Sequence, residues 1–199
     1  MEERKFNNSF MNDGNVSFFE QGLNHLKGMN DLRFLEIGSW EGESSCWYLD
    51  NILTGDNCSI TCVDSWEGGE EHTNIMETIE SNFLSNIESR RTNVEILKGY
   101  SKEMLLSIQD RKGYYDFVYV DGGHTLKDVI TDLILSFDLV KPGGIIGMDD
   151  FMWGSPQYKV GDPKPDHMRP EHAIRTFVTA FTDEIEVIAQ GGQVWVKKL

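Results

Sequence analysis

The sequence predicts an α/β fold: a seven-stranded mixed sheet, parallel except for a C-terminal antiparallel hairpin, with helices on both faces. Three observations carry this reading. Short apolar runs alternate with stretches of helical periodicity, the pattern of parallel strands joined by crossover helices. The first run, Phe34-Leu35-Glu36-Ile37, breaks into a loop with glycines at 38 and 42 before a helical pattern begins, which places free backbone N–H groups at a strand-to-helix turn. The chain ends in two apolar runs separated by Gly191-Gly192, a hairpin signature.

Residues 1–15 are polar and rich in Asn, and read as a loose arm or an irregular lead-in. Val16, Phe18, Phe19, Leu23 and Leu26 recur at near-helical spacing up to Gly28 and predict a covering helix. Residues 32–37 form the first buried strand and 42–53 the first crossover helix, with Cys46, Leu49, Ile52 and Leu53 inward. The second strand, 59–64, ends on Asp64, and a loop over 65–71 carries Trp66. Ile75, Ile79, Phe83 and Ile87 mark a helix at four-residue spacing. A third strand, 93–98, leads through Gly99-Tyr100-Ser101 into a short helix.

Residues 115–121 are the fourth strand, again finishing on Asp. Leu126, Val129, Ile130, Leu133, Ile134 and Phe137 give the clearest helical periodicity in the chain. Lys141-Pro142-Gly143-Gly144 predicts a turn, and 145–148 a fifth strand ending on Asp149-Asp150. Four of the five prolines fall between 156 and 170, so 151–170 is expected to be a lid-like loop. A helix over about 171–181 and the hairpin strands 185–189 and 194–198 complete the chain.

At 199 residues, one domain is expected over 1–199, with residues 1–30 as an arm and helix. A formal net charge of -15, with Lys and Arg scattered in pairs, argues against nucleic-acid and acidic-membrane partners, which require clustered cations. The opening residues lack the apolar core of a signal peptide and no apolar run approaches spanning length, so a cytoplasmic location is expected. Cys46, Cys58 and Cys62 have no zinc spacing and are read as buried free thiols. His25, His72 and His172 have no constellation around them and are expected in solvent.

In a parallel sheet ligands bind at the carboxyl ends of the strands. That rule gathers Glu36, Asp64, Asp121, Asp149 and Asp150 into one neighbourhood. With Glu41 and Glu43 in the glycine loop, a pyrophosphate would meet like charge there. The loop suits a ligand presenting cations or hydroxyls.

The segments 35–42, Val63-Asp64, 115–124 and 139–150 resemble the class I S-adenosylmethionine-dependent methyltransferases. Within them the similarity is to the small-molecule O-methyltransferase-like branch, with its strand-end Asp-Gly-x-His and double Asp. The resemblance covers about residues 30–150, and the terminal hairpin agrees with that family's antiparallel sixth and seventh strands. It implies a Rossmann-like sheet and S-adenosylmethionine as cofactor, held by Glu36, Gly38, Ser39, Gly42, Ser44, Asp64, Ser65, Trp66, Ser101 and Asp121. Asp64 is expected to accept from the ribose hydroxyls, Ser65 and Trp66 to lie along the nucleoside, and Tyr100-Ser101 to line the adenine pocket. Capping or structural roles for Glu36 and Asp64, and packing of Trp66 on the following helix, are the alternatives.

Metal-dependent members resembling this chain use a trio matching Asp121, Asp149 and Asp150. Strand ends about 4.8 Å apart can converge on one cation, and an all-oxygen set suits Mg²⁺, Mn²⁺ or Ca²⁺. Such a cation would lower the pKa of an acceptor hydroxyl. His124 and Asp121 are the candidate catalytic residues, with His124 as general base or, alternatively, as a helix-cap or cofactor contact. His167, Met168 and Arg169, with Trp153 and Tyr158, could form a lid and bind an anionic or aromatic acceptor, with a mobile surface loop of no role as the alternative. The expected partner is a small-molecule acceptor (a sugar, glycosylated metabolite or phenol), and the N-terminal helix or the lid could support a homodimer. Two other readings stand beside this one: a nucleotide-dependent oxidoreductase, which lacks the third glycine of its fingerprint, and a non-catalytic cofactor-binding or scaffold module.

Overall fold

The computed structural model describes residues 4–7, 9, 11–67 and 76–199. Seven strands form one sheet in the order β3-β2-β1-β4-β5-β7-β6. They are β1 (Arg33–Ile37), β2 (Ser59–Asp64), β3 (Val94–Lys98), β4 (Tyr115–Val120), β5 (Val140–Met148), β6 (Ile185–Gln190) and β7 (Val194–Lys198). The first five are parallel, and β7 runs antiparallel to both β5 and β6. The helices are α1 (Asp13–Leu23), α2 (Glu43–Asn51), α3 (Met76–Ile87), α4 (Ser101–Ser107), α5 (Leu126–Phe137) and α6 (Pro170–Ala180). The chain order reverses between β1 and β4, so the crevice at their carboxyl ends is the topological switch point.

Strand parity divides the core. In β4, Val118 and Val120 face one side and Phe117 and Tyr119 the other, as a period of two requires. The first side packs Leu35, Ile37, Ile146, Leu133, Phe137 and Phe177 under α4, α5 and α6. The second is aromatic: Phe19, Phe34, Tyr48, Phe117, Tyr119 and Trp195 are all buried against α1 and α2. Phe19 lies 4.9 Å from Tyr48 and 5.2 Å from Tyr119 between ring centroids. Gly22 lets α1 lie this close, since a Cβ there would stand 2.3 Å from the Trp195 ring.

Several sequence expectations are corrected. The turn read at Lys141–Gly144 belongs to β5: the strand begins at Val140 and reaches the β4 register through an irregularity between Tyr115 and Phe117. Of the two readings of the arm, its described residues fit the irregular lead-in, tied down by hydrogen bonds. Arg4 bonds Asp50 at 2.6 Å, and Lys5, Asn7, Ser9 and Met11 bond side chains of the loop before α2, of α2 and of α3. Ile134 points outward despite its helical register, with 52% exposure. His172 is half-buried, its Nε2 out of water and 4.0 Å from Asp166. All three cysteines are buried and free. Ile75, His72 and residues 68–71 of the expected loop lie outside the described residues. Among the described residues, no helix is long and apolar enough to cross a membrane.

Candidate active site

The β1–α2 loop is fixed from inside. Glu36 shares its strand face with Phe34, so its carboxylate points under α2 and away from the open strand end. There it accepts from Ser44 Oγ at 2.5 Å, from Ser45 Oγ, and from Cys62 Sγ at 3.8 Å. It is fully buried, which pushes its pKa up while the serine hydroxyls partly offset the shift. Gly38 and Gly42 both have positive φ. A Cβ on Gly38 would stand 1.9 Å from the Asp121 carbonyl oxygen, and one on Gly42 would stand 2.9 Å from Phe83. These glycines therefore serve contacts between the loop and the rest of the protein, in addition to any ligand.

Asp64 clamps two loops. One carboxylate oxygen accepts from Trp40 N at 2.8 Å and the other from Trp66 N at 2.7 Å. Both tryptophans are in the left-handed region, at φ 49° and 51°, where a non-glycine residue is strained. Burial raises the Asp64 pKa, and these backbone donors pull it back. Trp66 is buried, its ring 4.9 Å from Phe83 on α3 and its indole N–H on Trp40 O at 2.8 Å. Ser65 is half-buried and its hydroxyl accepts from Glu67 N at 3.2 Å. Tyr100 is exposed and donates to Glu67 at 2.5 Å, while Ser101 turns toward the Asp132 carboxylate on α5.

The ends of β4 and β5 are different in kind. Asp121, His124 and Asp150 each offer a ligand atom within 4.8 Å of the other two. His124 Nε2 is 3.0 Å from Asp150 Oδ2. Asp150 adopts φ 59°, and its N–H donates to Asp149 Oδ1 at 2.7 Å. Of the expected trio, Asp121 and Asp150 lie in this cluster with His124, and Asp149 accepts hydrogen bonds from behind it. Tyr119 Oη donates to Asp149 Oδ2, and Gln193 Nε2 reaches the same oxygen at 3.2 Å. Gln193 is itself oriented by Trp195 Nε1 at 2.8 Å.

Burial and the neighbouring carboxylates raise the Asp121 pKa well above its ordinary value, and Asp149 shifts in the same direction. The acids facing Asp121 are Asp149, Asp150, Glu36 and Asp64. A small cavity of about 70 Å³ opens beside Asp121 and Asp149, lined also by Gly38, Ser39 and Ser44 from the loop. Among the described residues, its lining contains no Lys or Arg. Such a donor set suits a cationic ligand, a divalent ion, or both.

Sequence reasoning missed Tyr119 and Gln193, whose side chains meet Asp149 only once the β5–β7 pairing is made. It placed Trp153 at an acceptor site without its contact to His124. The indole lies 4.7 Å from the His124 ring, with Lys164 Nζ 5.1 Å from the indole centroid. Trp153 also bridges Val160, and Lys164 N donates to Gly154 O at 2.9 Å, so this part of the loop is tied to itself beside His124.

A family model described as "Methyltransferase domain" matches residues 35–151, more than half of the chain. An uncharacterised protein, R132, of Acanthamoeba polyphaga mimivirus is 30% identical over 126 residues, 61% of this chain and 52% of that protein. This chain therefore spans about half the length of that curated relative. Among solved structures, an O-methyltransferase from Bacillus cereus in complex with SAH is similar at TM-score 0.64 and 18% identity, covering 95% of this chain and 82% of that one. The MycE methyltransferase of the mycinamycin biosynthetic pathway, in complex with Mg, SAH and mycinamycin VI, gives TM-score 0.64 and 19% identity over 96% of this chain and 50% of that one. A putative caffeoyl-CoA O-methyltransferase from Staphylococcus aureus gives 0.65 and 14%, over 96% and 85%.

Proposed function

This chain belongs to the methyltransferase-domain family, and we propose that it transfers a methyl group from S-adenosylmethionine to a hydroxyl of a small molecule, assisted by a divalent cation. The observation that carries this is the cluster of mutually repelling acids at the ends of β4 and β5, beside a loop cavity whose lining has no cationic side chain. S-adenosylmethionine would supply an activated methyl on a cationic sulfur, which such a cavity favours over a phosphate-bearing cofactor. Glu36, Gly38, Ser39, Gly42 and Ser44 are proposed to shape the amino-acid end, Asp64, Ser65 and Trp66 the ribose side, and Ser101 the adenine side. Asp121 is proposed to contact the cofactor and to act at the acceptor.

Asp121, Asp149 and Asp150 are proposed to hold Mg²⁺ or a similar oxygen-seeking ion, which would lower the pKa of an acceptor hydroxyl and orient it. Tyr119 and Gln193 orient Asp149 for this task. His124 takes the hydroxyl proton, with Asp150 steadying the imidazole and Trp153 covering it from solvent. Residues 151–170 serve as the lid over a sugar, glycosylated metabolite or phenol. MycE, with Mg and mycinamycin VI in its structure, makes mycinamycin VI a reasonable first acceptor to test.

A second reading has a specific observation behind it. Because Asp121, His124 and Asp150 converge, His124 could ligate the metal in place of Asp149 and leave proton removal to solvent. Titrating S-adenosylmethionine and NAD by calorimetry, then assaying methyl transfer to a catechol and glycoside panel with and without chelator, tests the whole reading. Heat from S-adenosylmethionine alone and chelator-sensitive transfer are expected. Binding without transfer to any acceptor would favour a non-catalytic module.

A further inference from the structure

Among the described residues, Asp132 is the only carboxylate whose two oxygens are both out of water and without a hydrogen-bond partner. It is 1% exposed. Capping does not account for it. The first turn of α5 is already closed by two other residues: Asp128 N donates to Thr125 Oγ1 at 3.2 Å, and Thr125 Oγ1 donates to Asp128 Oδ2 at 2.6 Å. Asp132 stands one turn further along, where a helix has no free N–H groups to offer. The charge that bears on it is the like charge of Asp128, four residues earlier on the same face.

Two neighbours fix where the carboxyl lies. A Cβ on Gly122 would stand 3.4 Å from Asp132 Oδ2 and 3.3 Å from Ile37 Cγ2, so the carboxyl sits directly under the loop that leaves β4. Ser101, the first residue of α4, approaches from the end of β3. Burial raises the Asp132 pKa, and the Ser101 hydroxyl opposes that rise, so the hydroxyl favours the charged carboxylate. Both loops leave the carboxyl ends of parallel strands, the edge at which ligands bind in such sheets. A buried polar group left without a partner destabilises the fold, and its presence at this edge calls for a role.

The chemistry of the pair defines that role. A serine hydroxyl has one hydrogen and two lone pairs, whereas an ionised carboxylate can only accept. Facing Asp132, Ser101 spends its hydrogen inward and keeps lone pairs for whatever lies on its outer side. We propose that Asp132 is a positioning residue for the adenine side of the cofactor pocket: its carboxylate takes the Ser101 hydroxyl hydrogen, which leaves Ser101 Oγ to accept from the 6-amino group of the purine. This rests on the methyltransferase reading, in which Ser101 flanks the adenine. Without ligand the hydroxyl is turned toward the carboxyl but forms no bond of normal length, and Ser101 closes that gap when it receives the base. The arrangement selects an amino group over an oxo group, because a 6-oxo purine would set a carbonyl oxygen against lone pairs with no hydrogen between them. An amide at position 132 can donate as well as accept, and would release the Ser101 hydrogen to either base.

Calorimetry on the full chain at pH 8 tests this with S-adenosylhomocysteine and its 6-oxo counterpart, S-inosylhomocysteine. The wild-type chain is compared with Asp132→Asn, Ser101→Ala and the double variant. The wild-type chain should prefer the adenosyl compound, and Asp132→Asn should cut that preference by roughly ten-fold. Ser101→Ala should cut it by a similar factor and the double variant by no more, because both changes act through one hydroxyl. A preference unchanged in Asp132→Asn, affinities for both compounds that shift together, or losses that add in the double variant would overturn the proposal. Its failure is distinct from that of the reading beneath it. Binding of both compounds with unaltered preference removes the role of Asp132 alone, whereas a wild-type chain that binds neither removes the methyltransferase reading as well.

Discussion

The two halves of the candidate site carry similar numbers of acids and treat them in opposite ways. At the β1–α2 loop and the end of β2, each carboxylate meets donors supplied by the chain itself: Glu36 by Ser44 and Ser45, Glu41 by Asn7 and Asn82, Asp64 by two backbone amides. At the ends of β4 and β5, Asp121 faces Asp149, Asp150, Glu36 and Asp64, and their charges raise its pKa. Positive φ does not separate the halves, since Asp150 shares it with Trp40 and Trp66. Like charge does, and perturbed acids of this sort concentrate at functional sites. One half is a scaffold whose acids are paired within the chain, and the other is the half to which the cation is assigned in the proposed function.

That contrast is broken most directly at Asp121. Replacing it with Asn keeps the shape and removes one of the repelling charges. If the β4–β5 end is poised for a cation, Asp121→Asn should lower kcat/KM by roughly a thousand-fold while the melting temperature of the metal-free chain rises. A fall in both would mean that Asp121 is an ordinary stabilising acid. His124→Gln should reduce kcat by about 10²–10⁴-fold if His124 takes the proton, with the Mg²⁺ affinity measured by calorimetry unchanged. A matching loss of metal affinity would instead make His124 a ligand, with Asp121 and Asp150.

Much of the fold was legible because its signals are local. The alternation of Phe117, Val118, Tyr119 and Val120 gives β4 two buried faces, and the spacing from Leu126 to Phe137 gives α5 its inward stripe. The acids at the strand ends were legible as a group for the same reason. Their partners were not. Glu36 turns under α2 because strand parity places it with Phe34, which becomes meaningful only when Ser44 and Ser45 are known to lie above that face. The partners of Glu41 and Glu43 on the arm come from 32 to 34 positions away, with no local pattern to announce them. Gln193 sits beside a glycine turn and reaches Asp149 only through the pairing of β7 with β5.

A third kind of acid sharpens the comparison from outside the site. Asp132 on α5 is 1% exposed, and neither of its oxygens has a hydrogen-bond partner within normal distance. Burial pushes its pKa up to about 7, with Asp128 adding to the rise and Ser101 opposing it. A carboxyl whose pKa is higher in the folded state stabilises that state most when both forms are protonated. Its contribution is therefore lost as pH climbs from the ordinary carboxyl value through about 7. At about 1.4 kcal/mol per pKa unit, Asp132→Asn should stabilise the chain by up to roughly 4 kcal/mol at pH 8 and by little near pH 4. Denaturant melts at the two pH values check this. A gain of equal size at both would show that the charge of Asp132 is not what costs stability.

The smallest expected effect lies in the scaffold half. Ser44→Ala removes one hydroxyl from the fully buried Glu36 carboxylate and leaves Ser45 and Cys62 in place. Deleting a hydrogen bond to a buried charged group costs about 1.5–3 kcal/mol. The remaining donors and a further rise in the Glu36 pKa should hold the loss near the lower end. Because Glu36 acts on the loop from beneath, the change should appear as lowered stability and a KM for S-adenosylmethionine raised by a few-fold, with kcat unaltered. A kcat that falls with unchanged stability would place Glu36 among the groups that touch the reacting atoms, and the division between scaffold and cation site would have to be redrawn through β1.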